Sequence, residues 1–275
     1  MSTAGRTDVV FGWPAESIWE AVSPLLPDFT VEVLPQIDST NTELMRRARA
    51  GRLEPVLLVA QQQTAGRGRL GRDWHSELGD SLTFSLGLPL APQGWSGLSL
   101  AVGVSVAESL DPGRRLGIRL KWPNDLWLAD GPQDRKLAGI LIETASFGEQ
   151  RYTVIGVGIN IAPRGDAGLS TPPGWLQQVL PGLDAPQTLL RVAAPLVQAV
   201  KAFETMGYAP FQTRFNARDA LRDREVVVSG GQGGTLAGTA HGVDETGALL
   251  VHAAAGMKQI TSSEVSVRPL VTRPA

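Results

Sequence analysis

The chain has 275 residues, of which 43% are hydrophobic and 19% are charged, and its formal net charge is -2 at pH 7. This balance excludes a disordered chain, allows one large domain beside a small one, and argues against a general binder of nucleic acid or anionic membranes. The sequence contains no cysteine, which excludes disulfides, thiolate nucleophiles and zinc sites built on sulfur.

Helical and strand periodicities follow one another along the chain. Thr40 and Glu43 form a T-x-x-E capping box, which predicts a helix start directly after a strand, where backbone N–H groups are free. Pro195 and Pro210 are expected to interrupt the last helical region. The predicted strands are residues 30–37, 55–63, 81–88, 117–121, 126–129, 137–144 and 152–159, and the predicted helical regions are residues 14–26, 40–51, 96–110 and 187–220.

Two domains are expected from this pattern. The short connections between strands in residues 1–221 predict a mostly antiparallel sheet, and residues 1–30 form an N-terminal extension, interpreted as a short helix that packs on the main domain. From Glu225 onward, short valine-rich strands alternate with glycine turns. This pattern predicts a small β-barrel domain at residues 222–275.

A glycine-rich stretch between two predicted strands is expected to be a long loop, and its residues 66–72 place three arginines among three glycines. Backbone amides and guanidinium groups can close around an anion there, because no bulky side chain stands between them. Phosphate or carboxylate is the expected ligand. A solvated flexible loop and an RNA-binding Gly-Arg segment have the same composition, so the loop sequence alone leaves all three interpretations open.

The segment RLKWPNDL at residues 119–126 follows a predicted strand. Pro123 forces a turn just after Lys121, which leaves a cation at a strand end beside Asn124 and Asp125. Strand ends often carry functional side chains. In the alternative interpretation, the tryptophan is a core residue, the turn is a plain one and the lysine lies on the surface.

Other polar segments have simple interpretations when each is taken alone. Residues 135–136 read as a solvated cationic pair, and residues 156–160 (GVGIN) read as close strand packing. His75, His241 and His252 have no metal-ligand spacing and are assigned no role. The chain has neither a Walker A loop nor a complete dinucleotide fingerprint.

Taken together, five ordered segments resemble the biotin protein ligases, in order and in approximate spacing. The resemblance is strong over residues 36–162, and residues 242–250 and 264–268 are similar to the small C-terminal domain of that family. The five segments are residues 39–41 (STN), 63–72 (QTAGRGRLGR), 121–125 (KWPND), 135–141 (RKLAGIL) and 156–160 (GVGIN).

The resemblance implies an α+β fold like that of class II synthetases, with a mixed, mostly antiparallel sheet, helices packed on one side and an SH3-like C-terminal barrel. It implies a ligase that converts biotin and ATP, with Mg²⁺, to biotinyl-5'-AMP and pyrophosphate. Biotin would then pass to a specific lysine of a biotin carboxyl carrier protein or domain of a biotin-dependent carboxylase such as acetyl-CoA carboxylase. No dedicated cluster of metal ligands is expected.

The resemblance also assigns roles to residues. Lys121, Arg67 and Arg69 are expected to be catalytic, because a carboxylate attacking a phosphate brings two anions together. Asn124 is in addition a candidate for magnesium. The expected biotin contacts are Ser39, Thr40, Asn41, Gln63, Gly66, Arg67, Gly68, Arg69 and Lys121, and the expected ATP contacts are Asn124, Lys136, Asn160 and Arg268.

Some family members carry a winged-helix DNA-binding domain before the Ser-Thr-Asn segment, whereas 38 residues precede Ser39 here. We therefore expect no repressor function and no DNA partner. The sequence has no stretch of about 20 apolar residues, so a cytoplasmic protein without membrane association is expected. A homodimer is possible and is not decided by the sequence. Lipoate or octanoate ligases are the nearest enzyme alternative, but their triple glycine before a histidine is absent from the expected region.

Overall fold

The computed structural model describes residues 12–130, 133–165, 171–230, 234–261 and 265–270. The first 11 residues of the expected N-terminal extension and Glu264 lie outside this range. The helices are α1 (Ala15–Val22), α2 (Thr40–Arg49), α3 (Leu98–Leu110), α4 (Ala185–Met206) and α5 (Ala209–Asn216). The strands are β1 (Thr30–Ile37), β2 (Val56–Gln63), β3 (Gly66–Arg67), β4 (Asp73–Trp74), β5 (Ser81–Pro89), β6 (Ile118–Lys121), β7 (Asp125–Asp130), β8 (Gln133–Phe147), β9 (Gln150–Asn160), β10 (Glu225–Gly230), β11 (Leu236–Val243), β12 (Leu249–Ala253), β13 (Gly256–Ile260) and β14 (Val265–Pro269).

Seven strands form the central sheet in the order β1-β2-β5-β9-β8-β7-β6. Only the β1–β2 pair is parallel, because α2 connects these strands as a crossover, and the other pairs of this sheet are antiparallel. The expected α+β fold with a mixed, mostly antiparallel sheet is confirmed.

The two faces of this sheet carry different helices. On β5, Leu82, Phe84 and Leu86 point into the main hydrophobic core, which also contains apolar residues of α1, α3, α4 and α5. The intervening positions face α2, since a Cβ atom on Gly87 would lie 3.0 Å from Leu44. In this detail the fold differs from the expected single layer of helices. The reason is that α2 has its own apolar stripe, which packs into a second cluster with β2 and β9.

Helix α2 begins one residue earlier than the capping box predicted. Ser39 is the N-cap, and its hydroxyl oxygen accepts a hydrogen bond from the backbone N–H of Thr42 at 3.4 Å. Glu43 forms ion pairs with Arg47 at 2.8 Å and with Arg46. The predicted box at Thr40 is therefore wrong, and the Thr40 hydroxyl is available for contacts across the sheet.

Helix α4 continues through Pro195, where an interruption was expected. Val192, Leu196 and Val197 on either side of the proline are buried in the main core, and this burial offsets the lost backbone hydrogen bond. The second expected interruption is confirmed, since α4 ends at Met206 and α5 begins at Ala209.

The last five strands form an antiparallel sheet in the order β13-β12-β11-β10-β14. Its buried residues, among them Val226 and Val267, join the main core, and the Trp122 indole donates a hydrogen bond to the Gly247 carbonyl at 3.1 Å. The barrel shape and the domain boundary near residue 222 stay predictions. Among the helices in the described ranges, none is both long and apolar enough to cross a membrane.

Candidate functional site

A cavity of about 1240 Å³ lies beside the N-terminus of α2. Its walls come from the start of α2, the end of β2, the segment around β3 and β4, strands β7 to β9, and β14. The volume exceeds the roughly 300–1,000 Å³ of common ligand pockets, so more than one small molecule fits. All the predicted site residues line this cavity except Gly66: Ser39, Thr40, Asn41, Gln63, Arg67, Gly68, Arg69, Lys121, Asn124, Lys136, Asn160 and Arg268.

Uncharged hydrogen-bonding groups form one end of the cavity. The Gln63 side-chain oxygen accepts hydrogen bonds from the backbone N–H of Thr40 at 2.8 Å and from the Thr40 hydroxyl at 3.1 Å. These bonds orient the Gln63 amide, whose NH₂ group is then the side that can serve a ligand. Ser39 and Thr40 are both buried in this wall. This end of the cavity can recognise a compact polar ring by a few fixed donors and acceptors.

Asn41 is held in the same wall by three hydrogen bonds. Its Nδ2 atom donates to the Leu141 carbonyl at 3.2 Å and to Glu143 at 3.0 Å, and its Oδ1 atom accepts from the Ser85 hydroxyl at 2.6 Å. A Cβ atom on Gly156 would lie 2.2 Å from that Oδ1 atom. Both donors of the amide are used, so Asn41 supports the wall, and its direct contact with a ligand stays a prediction.

The predicted glycine-rich loop contains a short hairpin. Gly66 pairs with Trp74 and Arg67 pairs with Asp73, with a 3-10 turn at Arg69–Gly71 between the two strands. A Cβ atom on Gly66 would lie 2.3 Å from the Trp74 carbonyl oxygen. Gly66 thus permits the close approach of two strands and does not line the cavity.

The two arginines predicted to be catalytic contact different parts of the central sheet. Arg67 forms an ion pair with Glu143 at 3.1 Å, and its side chain is 52% exposed. Arg69 donates to the Asn124 side-chain oxygen at 3.4 Å, and burial lowers the pKa of its guanidinium, a group that is not deprotonated in proteins. Asn124 in turn donates to the Ile140 carbonyl at 2.8 Å. Arg69 therefore ties the hairpin to the central sheet.

A buried cluster of charges lies at the β6–β7 turn. Lys121 is only 11% exposed, and its Nζ atom lies 3.8 Å from Asp125 and 5.3 Å from the centroid of the Trp127 ring. Lys136 contacts the other carboxylate oxygen of Asp125 at 2.7 Å. Burial lowers the pKa of Lys121, while the Asp125 charge opposes that shift. The surface interpretation of this lysine is wrong, and the core position of Trp122 is confirmed by its 0% exposure.

Asn160 anchors the far end of the cavity. Its Nδ2 atom donates to the carbonyls of Lys136 at 3.0 Å and Gly174 at 2.9 Å, and its Oδ1 atom accepts from Arg164 at 2.9 Å. Asn160 therefore joins β9 to β8 and to the segment that starts at residue 171. Arg268 comes from β14, so this end of the cavity combines cations from both sheets.

Several side chains of the site were missed by sequence reasoning, most clearly Trp74. A Cβ atom on Gly158 would lie 2.4 Å from the Trp74 ring, and the indole N–H is buried without a hydrogen-bond partner among the described residues. A bulky aromatic directly after an arginine-glycine stretch was a usable signal. Ser85 and Glu143 carried no local signal, because each bonds Asn41, which is 44 and 102 positions away, respectively. Arg164 likewise donates to the His75 carbonyl, 89 positions away.

The sequence also matches known families and proteins. Residues 33–160 match the model of the Biotin/lipoate A/B protein ligase family, and residues 223–268 match the biotin protein ligase C terminal domain. The chain is 39% identical over 250 residues to the bifunctional ligase/repressor BirA of Escherichia coli, covering 87% of this chain and 74% of BirA. The chain belongs to the biotin protein ligase family. The predicted resemblance is confirmed.

Further members of the biotin protein ligase family agree with this assignment. The biotin–[acetyl-CoA-carboxylase] ligase of Paracoccus denitrificans is 33% identical over 247 residues, covering 85% of this chain and 98% of that protein. The structure of the Aquifex aeolicus biotin protein ligase in complex with biotin and ATP superposes with a TM-score of 0.73 at 29% identity, covering 87% of this chain and 99% of that one. The expected enzyme class, a ligase, is confirmed by this membership.

Proposed function

We propose that this ligase joins biotin to ATP, releases pyrophosphate to give biotinyl-5'-AMP, and transfers the biotinyl group to a lysine of a biotin carboxyl carrier domain. One observation carries the proposal. A single cavity holds the uncharged donors and acceptors of Ser39, Thr40 and Gln63 together with the cations Arg69, Lys121 and Lys136, among others. The first set suits a ureido ring and the second suits carboxylate and phosphate groups.

The first half-reaction needs two anions to meet. A carboxylate oxygen of biotin forms a bond to the α-phosphorus of ATP, and the bond from that phosphorus to the bridging oxygen breaks, so that pyrophosphate leaves with the electron pair. Lys121 would offset the charge that builds on the phosphoryl oxygens, because its buried ammonium interacts more strongly there than it would in water. Asp125 would hold the ammonium in place and favour its charged form.

At the nucleotide end, Lys136 and Arg268 would contact the phosphates, and Asn160 would fix β8, which carries Lys136, through its hydrogen bond to the Lys136 carbonyl. The Trp74 ring, seated against Gly158, offers a flat surface beside these cations for a purine. Magnesium would accompany ATP and neutralise phosphate charge when bound. The Asn124 amide oxygen and the Asp125 carboxylate are oxygen donors of the kind that this ion takes, in the small number expected when phosphates and water supply the other ligands.

The hairpin that carries the arginines would act as a cover over the adenylate. Two of its contacts with the sheet, Arg67 to Glu143 and Arg69 to Asn124, are individually weak because the first is half-exposed and the second is long. The hairpin can therefore open for substrates and order over the product. A covered mixed anhydride is protected from water until the acceptor arrives.

In the second half-reaction, the neutral amine of the acceptor lysine attacks the biotinyl carbonyl and AMP leaves. At an ordinary pKa of about 10.4, about one amine in a thousand is neutral near pH 7.4, so removal of a proton is part of this step. The name of the Paracoccus relative supports acetyl-CoA carboxylase as the source of the acceptor.

We also propose the division into domains at residues 1–221 and 222–275, in keeping with the separate last sheet.

Purified protein with ATP, Mg²⁺ and one acid at a time tests this proposal. Biotin should release pyrophosphate in a one-to-one ratio with adenylate, whereas lipoate and octanoate should release none above background. Release with lipoate but not with biotin would contradict the assignment of the substrate. The expected absence of a repressor function stays a prediction, which binding to labelled operator-like DNA in the presence of adenylate tests separately.

A further inference from the structure

Asp134 and Arg224 form an ion pair between the two sheets at the rim of the cavity. Asp134 lies near the start of β8, and Arg224 immediately precedes β10. Their side chains are 20% and 38% exposed, respectively. This contact joins the central sheet to the last five strands beside the proposed nucleotide end, and the proposed reaction assigns neither residue a role.

The Asp134 end of the pair is coupled to the nucleotide end of the cavity through β8. Asp134 and Lys136 are two residues apart on this strand without a register shift between them, so their side chains share a face. Lys136 is itself fixed by its 2.7 Å contact with Asp125. The carboxylate of Asp134 therefore has a defined position relative to the cations that would bind phosphate.

The Arg224 end is fixed to the last sheet and to the segment that leads into it. The Arg224 guanidinium also donates to the Ala220 carbonyl at 3.1 Å. Its backbone N–H donates to the Leu221 carbonyl at 3.0 Å, and its backbone carbonyl accepts from Ala240 of β11 at 2.9 Å. The position of the Arg224 side chain is therefore linked to the position of the start of β10.

The start of β10 determines where Arg268 lies. Strand β14 pairs with β10, and Arg268 is directly opposite Val227, three residues after Arg224. We propose that the Asp134–Arg224 ion pair is a positioning contact that holds β10 and β14 over the nucleotide end of the cavity, so that recognition of ATP by Arg268 depends on it. This inference rests on the proposed function.

A merely structural ion pair would behave differently in kinetic measurements. Because the pair is partly exposed, its loss should change thermal stability little, whereas a shift of Arg268 should weaken ATP binding specifically. We expect D134N and R224Q each to raise the KM for ATP about three- to tenfold and to leave the KM for biotin within about twofold of the wild-type value. The KM for ATP of the double variant should be no higher than that of the more affected single variant, because both substitutions remove the same contact.

The matched control is E108Q, which breaks the ion pair between Glu108 of α3 and Arg214 of α5 away from the cavity. This variant should keep both KM values. An unchanged KM for ATP in D134N and R224Q, additive effects in the double variant, or equal rises in both KM values would overturn the inference. A wild-type protein that makes no adenylate would contradict the proposed function instead, and calorimetric titration of the same variants with ATP would still test the ion pair.

Discussion

The Nζ atom of Lys121 lies 3.8 Å from the Asp125 carboxylate, inside a wall where both side chains are about nine-tenths buried. The cation is the last residue of β6, the edge strand of the central sheet, and the anion is the first residue of β7. Burial lowers the pKa of Lys121, and the neighbouring Asp125 carboxylate opposes this shift and so favours the charged amine. A fixed, poorly hydrated cation is the arrangement that stabilises a phosphoryl transition state.

Replacement of Lys121 by Ala should lower the rate of adenylate formation by at least about 100-fold, because one preorganised stabilising group is removed. Biotin-dependent pyrophosphate release at saturating ATP measures this rate. The control is Lys201→Ala, which removes a lysine that is 44% exposed on α4 and pairs with Glu204. Near-wild-type turnover in Lys121→Ala would remove this residue from the catalytic site.

Replacement of Arg69 by Ala should increase the escape of biotinyl-adenylate into solution, because the tie between the hairpin and Asn124 is lost. Chromatography of the filtrate after incubation with ATP and biotin measures the released adenylate. The control is Leu70→Ala at the tip of the same hairpin, where the side chain is 55% exposed. If the two variants release the same amount as the wild-type protein, the hairpin does not retain the adenylate.

Substitutions at two glycines of β9 should affect the two ends of the cavity separately. A Cβ atom at Gly156 would meet Asn41 at 2.2 Å, and one at Gly158 would meet Trp74 at 2.4 Å. We therefore expect Gly156→Ala to raise mainly the KM for biotin and Gly158→Ala to raise mainly the KM for ATP, each by about tenfold or more. Gly94→Ala, with no heavy atom within 4 Å of the added Cβ, is the control. The opposite pattern would reverse the assignment of the two ends.

Asp219 should make the stability of the fold depend on pH. Asp219 is 6% exposed, and burial raises the pKa of its carboxyl from 3.8 to about 6. Well below pH 3.8 the carboxyl is protonated in both states and costs nothing. Between pH 3.8 and about 6 the unfolded state loses this proton while the folded state tends to keep it, so stability falls as pH rises through this window. Above that pH the full cost is at most about 3 kcal/mol.

Asp219→Asn should therefore be more stable than the wild-type protein at pH 7.5 and close to it at about pH 3, below the unfolded-state pKa. Urea unfolding at both pH values measures the free energies. The control is Asp28→Asn, which makes the same substitution at an exposed position. A destabilised Asp219→Asn at pH 7.5 would mean that the hydrogen bond from the Leu221 N–H to the ionised carboxyl outweighs the cost of its burial.

Most elements of the central sheet could be predicted because their signals are local. The strand expected at residues 30–37 is found as Thr30–Ile37, and the strand expected at 81–88 extends by one residue. The predictions of helix boundaries and interruptions are wrong where tertiary contacts determine the local structure. Ser39 and Thr40 are equally good caps, and the contact of Thr40 with Gln63 determines which of them begins the helix. Pro195 is tolerated because its neighbours are buried.

The motifs predicted which side chains lie together at the cavity, but not the hydrogen bonds that hold the cavity wall in place. Of the predicted residues, Gly66 alone lies outside the cavity lining, because its role is to let Trp74 approach. The hydrogen bonds from Asn41 to Glu143 and from Ser85 to Asn41 span 102 and 44 positions, respectively. No periodicity or spacing connects such residues, so a single sequence could not reveal them.

The central claim is that one chain both activates biotin and transfers it to a carrier lysine. Intact-mass measurement of a purified biotin carboxyl carrier domain, after incubation with this protein, ATP, Mg²⁺ and biotin, tests it most directly. We predict the gain of one biotinyl group at a single lysine, which is lost when that lysine is replaced by Arg or when ATP is omitted. An unmodified carrier domain in the presence of accumulated adenylate, or a carrier modified only when lipoate replaces biotin, would contradict the account.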